Sequence, residues 1–240
     1  MQKFFSNDIK DGRITLGAED TRHLLILRFK IGEKVVISDE RGTDYKCELE
    51  SILKTSAVFK ILDKMASDSE PDVKTALFQA MPKSEKCDFI IQKCVELGVS
   101  EIYFFISKRS VSRPDGKGME TKLKRFGEIS KNAAMQCGRG EIPKIKLLSD
   151  FENVFNEMRR YELKLFLYEC GGKPIKQTLE NCKAGSIAYI IGPEGGFEES
   201  EAVMAAERGC ITASLGKRIL RAETAAVTTQ GIIMYATGSL

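Results

Sequence analysis

The chain has 240 residues, of which 42% are hydrophobic and 30% are charged, a composition typical of a globular protein and not of a disordered one. Its formal net charge of +3 is too small for a uniformly basic RNA-binding protein, and no apolar run approaches the ~20 residues that a membrane helix needs, so we predict no membrane partner. Seven scattered cysteines without CxxC spacing and a single histidine argue against a zinc site or a disulfide framework, and they predict reduced thiols in the cytoplasm and no bound metal.

The first 70 residues are predicted to form a small lobe of short strands. Three runs have strand-like composition: 35–37, 45–50 and 57–62. In the second run Tyr45, Cys47 and Leu49 alternate with charged residues, which is the period of a half-buried strand. Short strands separated by glycine-containing turns are typical of a small barrel. The polar stretch 67–72 is predicted to be a linker, so we assign residues 1–70 and 73–240 to separate domains.

From residue 73 onward, strand-like runs alternate with helical patterns. Strands are predicted over 74–81, 102–106, 164–168, 187–191 and 213–215. Helices are predicted over 87–98, over 122–136, from about residue 198, and over 223–236. This alternation predicts an α/β domain with a mainly parallel sheet that is covered by helices on both faces.

Positive charge is concentrated in one segment, residues 107–146, where basic side chains clearly outnumber acidic ones. Such a segment is either a contact surface for phosphates or a solvated helix face beside a loop. Residues 113–122 have the composition of a loop. From the charge pattern alone the two interpretations are about equally good.

The most informative motif lies in the second half of the chain. The predicted strand 187–191 runs into the glycine-containing turn 192–196, and a helix begins near residue 198. A strand, a glycine turn and a helix are the usual place for a nucleotide-like ligand in an α/β sheet. This turn matches neither GxGxxG nor GxxxxGK[ST], so it lacks the key residues of dinucleotide and P-loop sites. Some other ligand is therefore indicated.

The segments IGPEGGF, residues 191–197, and LGKRILRAETA, residues 215–225, resemble the bacterial 16S ribosomal RNA uracil-N3 methyltransferase family, in the SPOUT class of S-adenosylmethionine enzymes. Further stretches resemble other motifs of the same family: 81–83, 90–99, 109–110, 133–139, 23–28 and 38–42. The likeness therefore spans nearly the whole chain. One departure is Met135, where the family usually has a glutamate.

The resemblance implies an α/β fold in which a trefoil-knotted SPOUT methyltransferase domain follows a small N-terminal PUA-like β-barrel. It implies that the cofactor is S-adenosylmethionine, that the methyl acceptor is N3 of one uridine in 16S rRNA, and that the partner is 16S rRNA or the small ribosomal subunit. It also implies a homodimer with contacts beside the cofactor pocket. The apolar residues of the terminal helix favour such a dimer: Ala226, Val227, Ile232, Ile233 and Tyr235.

The resemblance places the cofactor among three turns that each follow a strand. The implied cofactor-binding residues are Leu167, Tyr168, Glu169, Ile191, Gly192, Pro193, Glu194, Gly195, Leu215, Gly216, Ile219 and Leu220. Glycine turns let backbone groups approach a ligand closely, and apolar side chains form walls for the adenine. The alternative is that the glycines only end strands and the leucines belong to the core.

Catalysis at uracil N3 requires loss of a proton, and nearby cations would stabilise the resulting anion. Family-like motifs offer Arg109, Arg139 and Arg221 for this role, while Glu223 or water would accept the proton. The alternative for each arginine is that it binds a phosphate or pairs with a carboxylate. For Arg139 this alternative is as good as the role in catalysis. The candidate RNA-binding residues are His23, Arg28, Arg109, Lys122, Lys124 and Arg139.

Two other functions remain open at this point. One is a pure RNA-binding or ribosome-assembly protein that has lost its chemistry, and the other is a methyltransferase of the same class that acts on tRNA or on another ribosomal nucleotide. The intact IGPEGGF and LGKRILRAETA segments favour an enzyme, because a protein that only binds RNA would not need the cofactor turns.

Overall fold

The computed structural model describes residues 2–110 and 116–240, and the chain divides into two compact units. The first unit comprises the chain up to Glu70 together with the later segment Ala134–Ile142. The second comprises Pro71–Ala133 and Pro143–Leu240. The division made from the sequence did not include the later segment in the first unit, because no local pattern shows which unit a returning segment will contact.

The first unit is a six-stranded sheet with one helix. Its elements are β1 Lys3–Phe5, β2 Ile9–Lys10, β3 Arg13–Leu16, α1 Ala18–Ile26, β4 Lys34–Ser38, β5 Thr43–Ile52 and β6 Ala57–Ala66. The strand order is β1-β4-β5-β6-β3-β2, and only the β1–β4 pair is parallel. The predicted alternation in β5 is confirmed, since Tyr45, Cys47 and Leu49 all point into the core of this unit.

The returning segment is held to the first unit by polar contacts. Glu70 accepts hydrogen bonds from the backbone amides of Gly140 (2.9 Å) and Glu141 (3.2 Å). The hydroxyl of Ser38 donates to the carbonyl of Gly140 at 2.7 Å, and the ammonium of Lys3 donates to the carbonyl of Gly138 at 3.1 Å. These bonds satisfy backbone groups just after a helix end, where intrahelical partners are lacking.

The second unit is a seven-stranded sheet in which every pairing is parallel. Its strands are β7 Lys74–Ala80, β8 Glu101–Phe105, β9 Lys144–Leu147, β10 Leu163–Leu167, β11 Lys173–Pro174, β12 Ser186–Ile191 and β13 Ile211–Ser214. Their order is β11-β13-β10-β12-β7-β8-β9. The predicted parallel α/β sheet is therefore confirmed. Parallel strands need crossover connections, and helices provide them here.

Helices cover both faces of this sheet. They are α2 Ser84–Glu96, α3 Gly116–Cys137, α4 Phe151–Met158, α5 Ile175–Leu179, α6 Glu199–Glu207 and α7 Ala222–Ala236. Phe78 of β7 packs in one core cluster with residues of α4 and α6. Thr75 of the same strand faces the other way and accepts a hydrogen bond from Gln230 of α7 at 3.0 Å. Burial on both faces explains why β12 is almost uniformly apolar in sequence, while in β7 the buried residues include Thr75 and Gln79 among apolar ones.

Several predictions need correction at this level. The helix predicted over 122–136 begins at Gly116, so most of the stretch with loop composition is helical, while 113–115 lie outside the described residues. In α7, Ala226 and Ile233 are fully buried against the sheet and are not available for a dimer contact. Tyr235 is 80% exposed, so an apolar surface remains on this helix.

No helix in the described ranges has the length and apolar character to cross a membrane.

Candidate active site

A cavity of about 410 Å³ opens where three neighbouring strands of the second sheet end. We call it the strand-end pocket. Its walls come from the segments after β10, β12 and β13: 167–169, 191–194 with Gly196, and 214–222 with Ala225, to which α2 adds Lys86. The carboxyl ends of parallel strands are the usual ligand site of α/β sheets, and the volume lies within the ~300–1,000 Å³ of small-molecule sites.

The structure brings together nearly all of the residues that the sequence analysis assigned to the cofactor. Of that set, Gly195 is not part of the wall, and Gly196 lines the pocket in its place. Ile219 contributes to the wall, but its side chain is 85% exposed, so it forms less of an apolar wall than expected. Leu167 lines the pocket and is buried.

The turn after β12 is shaped by close packing. A Cβ atom on Gly192 would lie 3.1 Å from the ring of Phe197, which is tighter than normal contacts. Phe197 is itself buried and packs on Phe166 with a ring-centroid distance of 4.6 Å. Gly196 has a φ of +68°, which other residues rarely adopt. Glycine is therefore favoured in this turn for two different reasons: limited space at position 192 and the backbone conformation at position 196.

Gln79 holds the carbonyl groups of this turn from the neighbouring strand. Its side chain is fully buried, and its amide nitrogen donates to the carbonyls of Ala80 at 2.9 Å and Gly192 at 3.1 Å. Gln79 is paired in register with Ile191, the last residue of β12. Beyond that pair the backbone carbonyls no longer accept hydrogen bonds from a neighbouring strand, and the side-chain amide of Gln79 donates to them instead. The sequence analysis did not identify Gln79, because a single glutamine in an apolar strand carries no recognisable signal.

The third turn combines a glycine with several cations. Gly216 has a φ of +113°, and its amide donates to the hydroxyl of Ser214 at 3.2 Å. Lys217, Arg218 and Arg221 line the pocket and are exposed. Within the described ranges 2–110 and 116–240 none of the three side chains forms an ion pair, so their charges are available to an anionic partner.

A partly buried charge cluster lies at one side of the pocket. The ammonium of Lys86 is 3.2 Å from a carboxylate oxygen of Glu194 and 3.0 Å from one of Glu223. Burial opposes the charged form of this lysine, yet the bonds to both carboxylates outweigh it and raise the pKa of Lys86. Glu223, the predicted proton acceptor, is thus close to the pocket and engaged with a cation. Lys86 was not identified from the sequence.

The predicted catalytic arginines occupy different surroundings. The guanidinium of Arg109 donates to the carbonyl of Gly195 at 3.1 Å and lies 3.9 Å from the carboxylate of Glu198. Arg109 is therefore bound to the turn next to the pocket, and Arg221 lies in the pocket wall. Arg139 belongs to the first unit, where its side chain is only 5% exposed and pairs with Glu70. For Arg139 the structure thus shows the carboxylate pairing that the sequence analysis left as an alternative.

The remaining RNA-contact candidates are accessible. His23 on α1 is exposed and meets Phe4 edge-on at a ring-centroid distance of 6.1 Å. Arg28 follows that helix with a φ of +59° and is also exposed. On α3, Lys122 is half-buried and Lys124 is exposed.

Met135 packs against the core of the first unit, which explains how an apolar residue is accommodated at that position.

Among the described residues, no group of three or more His, Cys, Asp and Glu side chains is arranged to hold a metal ion.

Comparison with known proteins gives a consistent result. A family model described as an RNA methyltransferase domain matches residues 69–234, and one described as an RNA methyltransferase PUA domain matches residues 16–62. The chain is 33% identical to the ribosomal RNA small subunit methyltransferase E of Mesomycoplasma hyopneumoniae, over 95% of this chain and 96% of that protein. It is 29% identical to the protein of the same name from Bacillus subtilis, over 93% of this chain and 90% of that protein.

Solved structures show the same likeness. The ribosomal RNA small subunit methyltransferase E from Neisseria gonorrhoeae, bound to S-adenosylmethionine, superimposes with a TM-score of 0.88 at 28% identity, over 98% of this chain and 97% of that one. A methyltransferase from Legionella pneumophila, in complex with the same cofactor, gives the same TM-score, identity and coverage.

Proposed function

The chain belongs to the RNA methyltransferase family, and from this premise we propose that it transfers the methyl group of S-adenosylmethionine to N3 of one uridine in 16S rRNA. The observation that carries the proposal is the strand-end pocket, two of whose three walls are formed by the family-like segments 191–197 and 215–225. The names of the similar proteins support rRNA of the small subunit as the substrate, and two similar solved structures contain the cofactor.

The pocket residues fit this cofactor. Gly192 and Gly216 open the backbone of two turns, so that amides and carbonyls can bind the ribose and the adenine. Leu167, Leu215 and Leu220 supply apolar surface for the purine ring. When bound, S-adenosylmethionine supplies an electrophilic methyl group, while the protein supplies orientation and electrostatics. Holding the reacting atoms in line is worth up to ~7–11 kcal/mol of the barrier.

The cations near the pocket serve the substrate and not the cofactor. The reacting end of S-adenosylmethionine carries a positive sulfonium, so at that end the exposed side chain of Arg221 in the pocket wall suits the uracil anion better. An arginine stays protonated, so it stabilises the anion without acting as the base. Glu223 or water accepts the N3 proton. Arg109 contributes a second positive charge next to the turn after β12.

The other parts of the chain follow the family. The first unit is a PUA-like barrel that contacts RNA through His23 and Arg28, and Lys122 and Lys124 of α3 bind phosphates. The second unit is a trefoil-knotted SPOUT domain, and the enzyme works in the cytoplasm without a metal. A protein that only binds RNA is the weaker alternative, because Gly192 and Gly216 line a cavity that such a protein would not use.

Two measurements test this function. Calorimetry in the presence of a chelator should show stoichiometric binding of S-adenosylmethionine. Mass mapping of nucleosides after incubation with 16S rRNA or with small subunits from a deletion strain should show a single new N3-methyluridine. Methylation of tRNA alone, or cofactor binding that requires a metal, would contradict the proposal.

We also propose a homodimer formed through the second unit. Tyr235 on α7 is 80% exposed and Val227 and Ile232 are partly exposed, so an apolar strip remains uncovered on this helix. We expect light scattering to give twice the mass of the 26.8 kDa chain, and Tyr235→Glu to lower that mass and the activity together. A fully active monomer at working concentration would rule the dimer out.

A further inference from the structure

Three segments that are far apart in the chain meet at one ammonium group beside the strand-end pocket. Lys86 lies in the first turn of α2, Glu194 in the turn after β12, and Glu223 in the first turn of α7. The lysine contacts one carboxylate at 3.2 Å and the other at 3.0 Å. Glu194 also accepts a hydrogen bond from the backbone amide of Lys83 at 3.2 Å, so the turn is joined to α2 at two points.

The partial burial of these groups makes the contact stronger than a surface ion pair. The exposed fractions of the side chains are 27% for Lys86, 26% for Glu194 and 17% for Glu223, so solvent and salt screen them only in part. The two carboxylates raise the pKa of Lys86, and its ammonium helps to lower the pKa of Glu194. The charged states therefore favour the arrangement seen here.

We propose that Lys86 is a positioning residue of the cofactor pocket: its ammonium binds Glu194 and Glu223 and thereby holds the turn 192–196 and the start of α7 in the conformation that receives S-adenosylmethionine. This inference rests on the proposed function for the identity of the ligand. Lys86 itself lines the pocket, but its ammonium lies within ion-pair distance of the two carboxylates, so we infer that its effect on the ligand is exerted through them.

If Lys86 acted only through its charge, its removal would have a different effect on ligand affinity. Without the lysine charge, two carboxylates near the pocket would attract a cationic ligand more strongly. S-adenosylmethionine carries a positive sulfonium, whereas S-adenosylhomocysteine lacks the methyl group and with it the charge; the rest of the two molecules is identical. An electrostatic role therefore changes the ratio of the two affinities in favour of S-adenosylmethionine, whereas a positioning role weakens both ligands to the same extent.

The test is Lys86→Met, measured by calorimetry with both ligands. We expect each to bind about tenfold more weakly, which corresponds to ~1.4 kcal/mol, with their ratio unchanged. In the protein without ligand, hydrogen exchange of the amides in 192–197 should become faster, because the turn has lost one of its ties to α2. Lys86→Arg should restore most of the affinity, since a guanidinium can reach both carboxylates.

Lys93→Met is the matched control. Lys93 lies on the same helix, is 35% exposed and pairs with Glu96 at 2.8 Å, but this pair joins two residues of one helix away from the pocket. It should change neither affinity nor exchange in 192–197. Equal losses in both variants, unchanged binding in Lys86→Met, or a gain for S-adenosylmethionine over S-adenosylhomocysteine would overturn the inference. If the unaltered protein bound neither ligand, the proposed function would fail. Hydrogen exchange in 192–197 would still test whether the contact of Lys86 with Glu194 and Glu223 holds the turn.

Discussion

Replacing Gly192 by valine should abolish binding of S-adenosylmethionine. A Cβ atom at this position would lie 3.1 Å and 3.2 Å from two ring atoms of Phe197. That ring cannot retreat easily, because it is 3% exposed and is packed against Phe166 at 4.6 Å and Phe151 at 5.7 Å. The turn must therefore shift toward the cavity, and overpacking of this kind costs typically ~1–3 kcal/mol of stability. We expect the affinity to fall by at least about 100-fold.

The measurement is calorimetry together with thermal unfolding of the same sample. Gly127→Val is the control, because a Cβ atom at Gly127 meets nothing within 4 Å beyond its own helix and the residue lies on α3, away from the pocket wall. This control should bind the cofactor normally. Normal binding by a folded Gly192→Val protein would show that the turn after β12 does not form the cofactor site.

The sequence predicted the positions of the three strand ends because that information is local. Short strand-like runs mark β10, β12 and β13, and glycines follow each of them. Since carboxyl ends of parallel strands share one edge, an approximate site follows once the sheet is predicted to be parallel. The family resemblance then named the lining residues, and the structure places nearly all of them around one cavity.

The sequence did not predict contacts between distant segments. Nothing in the chain near Lys86 indicates that Glu223 lies 3.0 Å away, and nothing near Gln79 indicates that it binds the carbonyl of Gly192. The same limit applies to Arg139, for which the sequence left a carboxylate partner open without indicating that the partner is Glu70. Such pairs depend on which strands and helices become neighbours, and local periodicity carries no information on that choice.

Arg221→Ala should separate cofactor binding from methyl transfer. Arg221 lines the pocket, is exposed and forms no ion pair with a described residue, so its removal leaves no buried partner unsatisfied and the pocket intact. We expect affinity for S-adenosylmethionine to stay nearly unchanged. Loss of one donor to a developing anion typically lowers the rate by ~10²–10³, so single-turnover methylation of 16S rRNA should fall by about that factor.

Arg109→Ala is expected to behave differently, although the sequence gave both arginines the same role. The guanidinium of Arg109 donates to the carbonyl of Gly195 at 3.1 Å, so its removal also loosens the turn beside the pocket. It should therefore weaken cofactor binding as well as lower the rate.

The control for the RNA side is Lys124→Ala, on the exposed face of α3. It should weaken RNA binding and reduce its salt dependence, as loss of a phosphate contact does, without slowing the single turnover at saturating RNA. Near-normal turnover by Arg221→Ala at saturating RNA would contradict a role at the base. Arg221 would then bind phosphate like Lys124, and the positive charge near the uracil would have to come from Arg109, which is bound to Gly195 in the turn next to the pocket.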